Sequence, residues 1–276
     1  MNSPKVSVLI ATYNRKRLLP KAIESVLKQS LSDWELVVVD DGSDDGTEEL
    51  MLEYCRKDGR IKYLKGNHVG RIAVVSNRGL RAASGEYVAV LDDDDFWIDR
   101  EKLEKQIDFL DKNPSYVGCG SGMITVDEAG NEILRFLKPE SDEEIKKKAL
   151  YANPMANSTT VFRRSIAEDI GFYDETLLQF ADWDFWLKIG TRGKLYNFQE
   201  YFTSYLMWDK SSSFMRQKEN ARSALVIVKR YRKIYPGFDK AFLLAATYRT
   251  YVLLPAILRK FLNPVLSKRK KKIFSQ

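Results

Sequence analysis

Four aspartates stand side by side from Asp92 to Asp95, directly after the apolar run Tyr87 to Leu91. Adjacent carboxylates repel and raise one another's pKa. A divalent cation removes that cost. Hard oxygen ligands suit Mg²⁺ or Mn²⁺, ions that keep coordination positions for substrate phosphates. The plain alternative is a solvated acidic loop. The run ends a core strand, however, and Phe96-Trp97 follows to bury its flank, so the metal reading is favoured. A second acidic pair, Asp40-Asp41 before Gly42-Ser43, can accept hydrogen bonds from ribose hydroxyls or a base N–H. An Asx-turn with a helix cap explains the same residues equally simply. A third acid, Asp182, opens the segment Asp182-Trp-Asp-Phe-Trp-Leu187, where it is a helix cap or a general base at the mouth of a site. Trp186 reads as core and Trp183 is open to either use.

Other chemistries find little support. His68 is the only histidine and has no nucleophile near it, which disfavours Ser-His-Asp hydrolysis. The glycines from Gly118 to Gly122 lack the spacing and following helix of a dinucleotide fingerprint, and no Walker A motif occurs.

The elements that must carry these residues follow from hydrophobic periodicity. Continuous apolar runs at Val6 to Ala11, Trp34 to Val39, Ile61 to Leu64 and Tyr87 to Leu91 read as buried strands. Helical spacing covers Arg17 to Gln29, Thr47 to Lys57, Ile72 to Ala83 and Lys102 to Asp111. This alternation predicts an α/β fold with a mostly parallel sheet flanked by helices. Ligands bind such sheets at the carboxyl ends of the strands, where Thr12 to Arg15, Asp40-Asp41 and Asp92 to Asp95 all fall. Beyond, Tyr116 to Val126 and Glu132 to Leu137 predict a hairpin, Ser158 to Phe162 a strand, Asp182 to Ile189 a helix, Lys194 to Leu206 extended chain, and Met215 to Tyr235 a basic helix.

The chain has 276 residues, 44% hydrophobic, enough to bury a large core. Its two cysteines, Cys55 and Cys119, have no metal-ligand spacing and fit a reducing cytoplasm. Val6 to Ala11 is too short for a signal-peptide core. The net charge of +7 is uneven: from Lys229 onward the chain carries +12, leaving −5 on the rest. A basic tail on an acidic body argues against nucleic acid as a partner of the main domain.

Taken together and in order, these motifs resemble glycosyltransferase family 2. The resemblance rests on VSVLIATYNR at Val6 to Arg15, VVDDGSDDGT at Val38 to Thr47, NRGLRAASGEY at Asn77 to Tyr87, LDDDD at Leu91 to Asp95 and DWDFWL at Asp182 to Leu187. It spans about Lys5 to Ser213. It implies a GT-A, Rossmann-like fold and a nucleotide-diphosphate sugar as donor. By its pattern Thr12, Tyr13, Arg15, Asp40, Asp41 and Arg71 hold the nucleoside or phosphate. Asp92 and Asp94 form the DxD pair for Mn²⁺ or Mg²⁺, with Asp93 counted beside Asp92 on the donor, and Asp182 is the catalytic base. Single displacement by an acceptor hydroxyl then inverts the anomeric centre. The implied organisation is a catalytic domain over 1–213, with a nucleotide-binding half (1–112) and an acceptor half (113–213), followed by a basic helical tail over 214–276. Two positions depart from the pattern. Ala181 stands where the family often has Glu, and Trp208 to Ser213 has no histidine, so Asp209 or Lys210 is left to substitute. Those departures also admit a non-catalytic nucleotide-sugar-binding scaffold. A sugar-nucleotide pyrophosphorylase would need a glycine-rich loop after the first strand, which Ala11 to Arg15 lacks.

In the tail, Ala241 to Leu266 is apolar but broken at Pro255 and Pro264, reading as two short helices. Spanning a bilayer would bury Arg249 at roughly 2.5–3.5 kcal/mol. An interfacial helix followed by Lys268 to Lys272 supplies two attachment signals instead. The expectation is a cytoplasmic enzyme held by its tail on the anionic inner face of the membrane, with a glycan or lipid-linked acceptor. Packing of Phe242 to Leu266 on the domain is the alternative.

Overall fold

The computed structural model describes residues 3–207, 216–255 and 259. Its first half alternates strictly: β1 (Val6–Thr12), α1 (Leu19–Leu27), β2 (Trp34–Asp40), α2 (Thr47–Lys57), β3 (Ile61–Lys65), α3 (Ile72–Ala82) and β4 (Tyr87–Val90). β1 pairs parallel with β2 and β4, and β2 with β3. The two faces of this sheet feed two cores, as the two-residue strand period requires. Val6, Val8, Ile10, Leu36, Val38, Tyr87 and Ala89 point to one side, packed by Leu19, Ile23 and Val26 of α1 and Met51 of α2. Leu9, Val37, Val39, Val88 and Val90 point to the other, packed by Ala73, Val75 and Leu80 of α3. Helices on both faces are why these strands read as unbroken apolar runs. Gly79 allows α3 to sit this close, because a Cβ there would lie 2.0 Å from Leu9 Cδ1.

The second half extends the sheet. β5 (Phe96–Trp97), α4 (Lys102–Lys112), β6 (Tyr116–Val126), β7 (Glu132–Phe136), α5 (Asp142–Lys148), β8 (Val161–Arg163), α6 (Arg164–Asp169), α7 (Ala181–Ile189) and β9 (Lys194–Leu206) follow. The nine strands run β3-β2-β1-β4-β8-β6-β9-β5, with β7 hairpinned on β6. β8 is antiparallel to both β4 and β6, and β9 is parallel to β6. The predicted strand over Ser158 to Phe162 is split: Asn157–Thr159 is a 3₁₀ turn, and β8 begins at Val161. Local hydroxyl bonds explain it. Thr159 Oγ1 donates to Ala156 O and Thr160 Oγ1 to Asn157 O, giving the backbone an alternative to the ladder.

Two helices close the described chain, α8 (Gln217–Arg230) and α9 (Phe238–Leu253). α8 belongs to the same core as α7. Arg230 donates to the fully buried Asp184 at 2.6 Å and pairs with Asp174 at 2.8 Å, and Tyr235 OH donates to Leu187 O at 2.8 Å. α9 turns Ala241, Ala245 and Val252 inward while Leu243 and Leu253 stay 67% and 62% exposed. It stops before Pro255, as the residue preceding a proline disfavours helix. The second predicted tail helix and the Lys268 to Lys272 run lie outside the described residues, as do Met215 and Trp208 to Ser213.

Lys102 on α4 is fully buried, its Nζ donating to Gln106 Oε1 at 2.6 Å and lying 4.1 Å from the Trp97 ring centroid. Burial pushes its pKa down to about 7. Between pH 7 and 10 the unfolded chain therefore holds a proton there that the folded chain does not, so stability rises with pH through that window. We expect Lys102→Met to abolish this contribution, up to ~1.4 kcal/mol per pH unit. The check is the difference in urea midpoint between variant and wild type, which should favour the variant at pH 6 and shrink by pH 10.

Candidate active site

The register of the parallel strands builds the site. Thr12 lies opposite Asp40, so the ends of β1 and β2 are level. Leu91 N–H bonds to Leu9 O, which brings the chain after β4 alongside them. The four aspartates then alternate: Asp93 and Asp95 are buried, while Asp92 and Asp94 are only partly covered. Asp93 accepts from Thr12 Oγ1 at 2.7 Å. Asp95 accepts from Ser158 Oγ and from the Leu206 N–H at 3.1 Å. These two inward acids thus tie the loop to β1, to the 3₁₀ turn and to β9. Asp92 accepts from Asn157 Nδ2 at 3.0 Å, and Arg15 Nη1 lies 3.6 Å from Asp94 Oδ2.

The charges are crowded. Burial, then the Asp94 charge, raises Asp93 to about 7. Burial, then Asp94 and Asp182, raises Asp92 to about 6. Asp95 is raised well above the usual range, again by burial first. Among the described residues no group of three or more His, Cys, Asp or Glu side chains is arranged as a self-sufficient metal cage. Two outward carboxylates fit instead a divalent ion that completes its shell with substrate phosphate oxygens.

The neighbouring wall is made by the loops after β1 and β2. Asp40 is fully buried and its oxygens are occupied: Oδ1 by Ser43 N–H at 2.9 Å and Ser43 Oγ at 2.6 Å, Oδ2 by Tyr63 OH at 2.5 Å. Asp41 accepts from the Val69 and Gly70 N–H groups at 2.9 and 2.8 Å, and His68 Nδ1 lies 3.0 Å from it. The His68 ring stacks on Tyr13, centroids 4.0 Å apart, and Tyr13 is 41% exposed. Gly42, at φ 81°, permits this loop contact, since a Cβ there would stand 2.8 Å from His68 N. Arg71 precedes α3 and is exposed on the wall of a cavity of about 430 Å³, opposite Leu177 and Arg222. It makes no ion pair with another described residue. Thr12 is therefore joined to Asp93 and Arg15 to Asp94, Tyr13 and Asp41 share His68, and Arg71 stands apart from these groups.

Asp182 sits in the first turn of α7, with Phe180 rather than Asp182 at the cap. Phe180 has φ 60°, a left-handed conformation that a bulky residue adopts at a cost of order 1–3 kcal/mol. Asp182 Oδ2 accepts from Asn153 Nδ2 at 2.7 Å, and burial raises its pKa. Trp183 and Trp186 are both core; Trp183 Nε1 donates to Ala149 O at 2.8 Å. Ala181 is buried in the same cluster.

The profile of the family described as Glycosyl transferase family 2 matches residues 7–171. EpsE of Bacillus subtilis, named as a glycosyltransferase, is 36% identical over 79% of this chain and 78% of its own. The chain belongs to glycosyl transferase family 2. A further relative of Escherichia coli, the UDP-Glc:alpha-D-GlcNAc-diphosphoundecaprenol beta-1,3-glucosyltransferase WfgD, is 42% identical over 41% of this chain and 44% of its own. The fold is that of TarS of Staphylococcus aureus, solved with UDP: TM-score 0.70 at 20% identity, covering 91% of this chain and 76% of that one. The family 2 protein is thus a glycosyltransferase with the GT-A α/β fold.

Sequence reasoning about this glycosyltransferase passed over Asn153, Asn157, Ser158 and Lys138. None lies in a charged run. Only the polar stretch Asn157-Ser-Thr-Thr160, sitting where a buried strand was expected, hinted that hydrogen bonds rather than packing governed that segment.

Thr12→Val keeps the shape of the side chain but leaves buried Asp93 without its donor. A buried acceptor stripped of its partner costs about 1–3 kcal/mol, and a urea denaturation series should show a loss in that range. A loss below 0.3 kcal/mol, a threshold of roughly half RT, would mean that this bond does not hold the loop.

Proposed function

We propose that this glycosyltransferase moves a sugar from a nucleotide-diphosphate donor to a hydroxyl of a glycan or lipid-linked acceptor, inverting the anomeric configuration. The observation that carries this reading is electrostatic. Burial first, then the charges of Asp94 and Asp182, raise Asp92, so the proposed base lies within electrostatic reach of the proposed donor acids. Asp92 and Asp94 would hold Mn²⁺ or Mg²⁺, and such an ion, when bound, neutralises charge on a diphosphate leaving group. Of the donor-binding set, Tyr13, Arg15, Asp41 and Arg71 would meet the donor, while buried Thr12, Asp40 and Asp93 would shape the loops that carry them. Tyr13, stacked on His68, presents an aromatic face to a base, and Arg15 adds a cation beside Asp94. Asp182 takes the proton of the acceptor hydroxyl, whose oxygen attacks the anomeric carbon from the face opposite the departing diphosphate. One displacement requires no covalent enzyme intermediate. The TarS complex with UDP and the UDP-Glc and lipid diphosphate in the name of WfgD support the donor and acceptor classes.

The residues over 1–213 would form the catalytic domain, nucleotide-binding before 113 and acceptor-binding after it. The segment 214–276 would hold the enzyme peripherally on an anionic cytoplasmic membrane face. Among the described residues no helix is long and apolar enough to cross a membrane. The exposed Leu243 and Leu253 of α9, and the basic run that follows, support the interfacial reading.

Asp94→Ala is expected to abolish transfer and the Mn²⁺-dependent part of donor binding; equal donor affinity in EDTA and Mn²⁺ by calorimetry would remove the metal assignment. Asp182→Asn should keep donor affinity and cut turnover about 10²–10⁴-fold, the usual range for a lost general base. Near wild-type turnover would take Asp182 out of that role.

For the tail, replacing Lys268 to Lys272 with glutamine should release the protein from anionic liposomes, each basic residue near such a surface being worth about 1 kcal/mol. Truncation after Pro255 is the companion variant, because it spares the buried face of α9. If the full chain stays in the supernatant with anionic liposomes at low salt, the tail is no anchor.

A further inference from the structure

Asp182 is held by a chain of contacts. Asn153 Nδ2 donates to Asp182 Oδ2 at 2.7 Å, and Asn153 Oδ1 accepts the Met155 N–H at 3.1 Å. The second bond fixes which end of the amide faces the carboxylate, since an oxygen already serving a backbone N–H leaves the NH₂ for Asp182. Lys138 Nζ donates to Asn153 O at 2.9 Å, and its charge favours the ionised form of Asp182. Both neighbours are pinned to β9. The fully buried Asn197 donates through Nδ2 to Pro139 O at 2.7 Å and Pro154 O at 3.2 Å, joining the residue after Lys138 to the residue after Asn153. Gln199 Nε2 donates to Lys138 O at 3.1 Å.

We infer that Asn153 and Lys138 are positioning residues for the reaction, a clamp that orients the Asp182 carboxylate and keeps it ionised. The Trp183 N–H and the Asn153 amide both bond the carboxylate and favour its ionised form. The acceptor's O–H bond breaks as its oxygen bonds to the anomeric carbon, that carbon's bond to the diphosphate breaks, and the proton passes to the Asp182 carboxylate. Lys138 serves two ends: it fixes the carbonyl of Asn153, and it supplies a cation that keeps Asp182 ionised against burial. Its own amine is discouraged from charging by burial and favoured by Asp182. This inference rests on Asp182 being the base.

The test measures the carboxyl directly. With ¹³Cγ-aspartate labelling, the Asp182 signal is assigned by its loss in Asp182→Asn and titrated in the full-length, ligand-free protein. Besides Lys138, the groups whose charge bears on Asp182 are Asp92 and Tyr173, the latter in the core beside α7. Asn153→Ala and Lys138→Met should each move the Asp182 midpoint upward by about one unit, through the lost hydrogen bond and the lost cation. Lys138→Arg should stay near wild type, a rescue that a purely structural lysine would not show in this readout. A wild-type midpoint in both Asn153→Ala and Lys138→Met overturns the clamp, whereas the turnover of Asp182→Asn judges the base itself, so the two failures are distinguishable. Thermal melts of the variants confirm that the comparison is between folded proteins.

Discussion

A buried strand that ends in four consecutive carboxylates has to separate them. Repulsion and desolvation both act against the charged forms, and the raised pKa values of Asp92, Asp93 and Asp95 record it. The separation is achieved by a tight turn, closed by the Asp95 N–H on Asp92 O at 3.1 Å. Asp93 and Asp95 turn inward and find hydroxyl and amide donors on β1, the 3₁₀ turn and β9. Asp92 and Asp94 turn outward. What looks in sequence like one acidic run is thus two buried fasteners interleaved with two partly exposed acids. The fasteners hold together elements from both halves of the chain.

That constraint explains the irregular second half. Asn157-Ser-Thr-Thr160 forgoes strand geometry so that Ser158 can serve Asp95 and the Asp92 N–H, and so that Asn157 can reach Asp92. The turn is supported from behind by Gln106 Nε2 of α4, which donates to Thr159 O at 2.9 Å, and by Trp97 Nε1 of β5, which donates to Ser158 O at 2.8 Å. The buried Lys102 orients Gln106 for that bond. α7 carries Asp182, which Asn153 holds, and α8 steadies α7 through Arg230 and Asp184. Acids at the strand ends and an acid at a helix start thereby sit on one bonded frame, close enough for the Asp182 charge to act on Asp92.

Much of this was legible in the residues. The apolar runs of β1, β2 and β4 marked buried parallel strands because helices on both faces demand apolar side chains at every position. The polar clusters at their ends followed from the same topology. The motif order gave the family, which the match over residues 7–171 establishes. Less legible was anything decided by long-range pairing. Nothing local distinguishes Asp93 from Asp92, because the difference is which one meets Thr12, 81 positions away. Asn153 and Lys138 are unremarkable in their own neighbourhoods and gain meaning only from contact with Asp182 and β9. The strand expected at Ser158 failed for a related reason: its hydroxyls bond locally, which a pattern of hydrophobicity does not register.

The division of the aspartates into inward and outward pairs is best judged by where a metal goes. Crystals grown with Mn²⁺ and UDP, measured at a wavelength where manganese scatters anomalously, locate the ion without reference to activity. The anomalous peak should lie at bonding distance from carboxylate oxygens of Asp92 or Asp94, with Asp93 still bonded to Thr12 and Asp95 to Ser158. A peak on Asp93 or Asp95, or none within reach of the four, would contradict it.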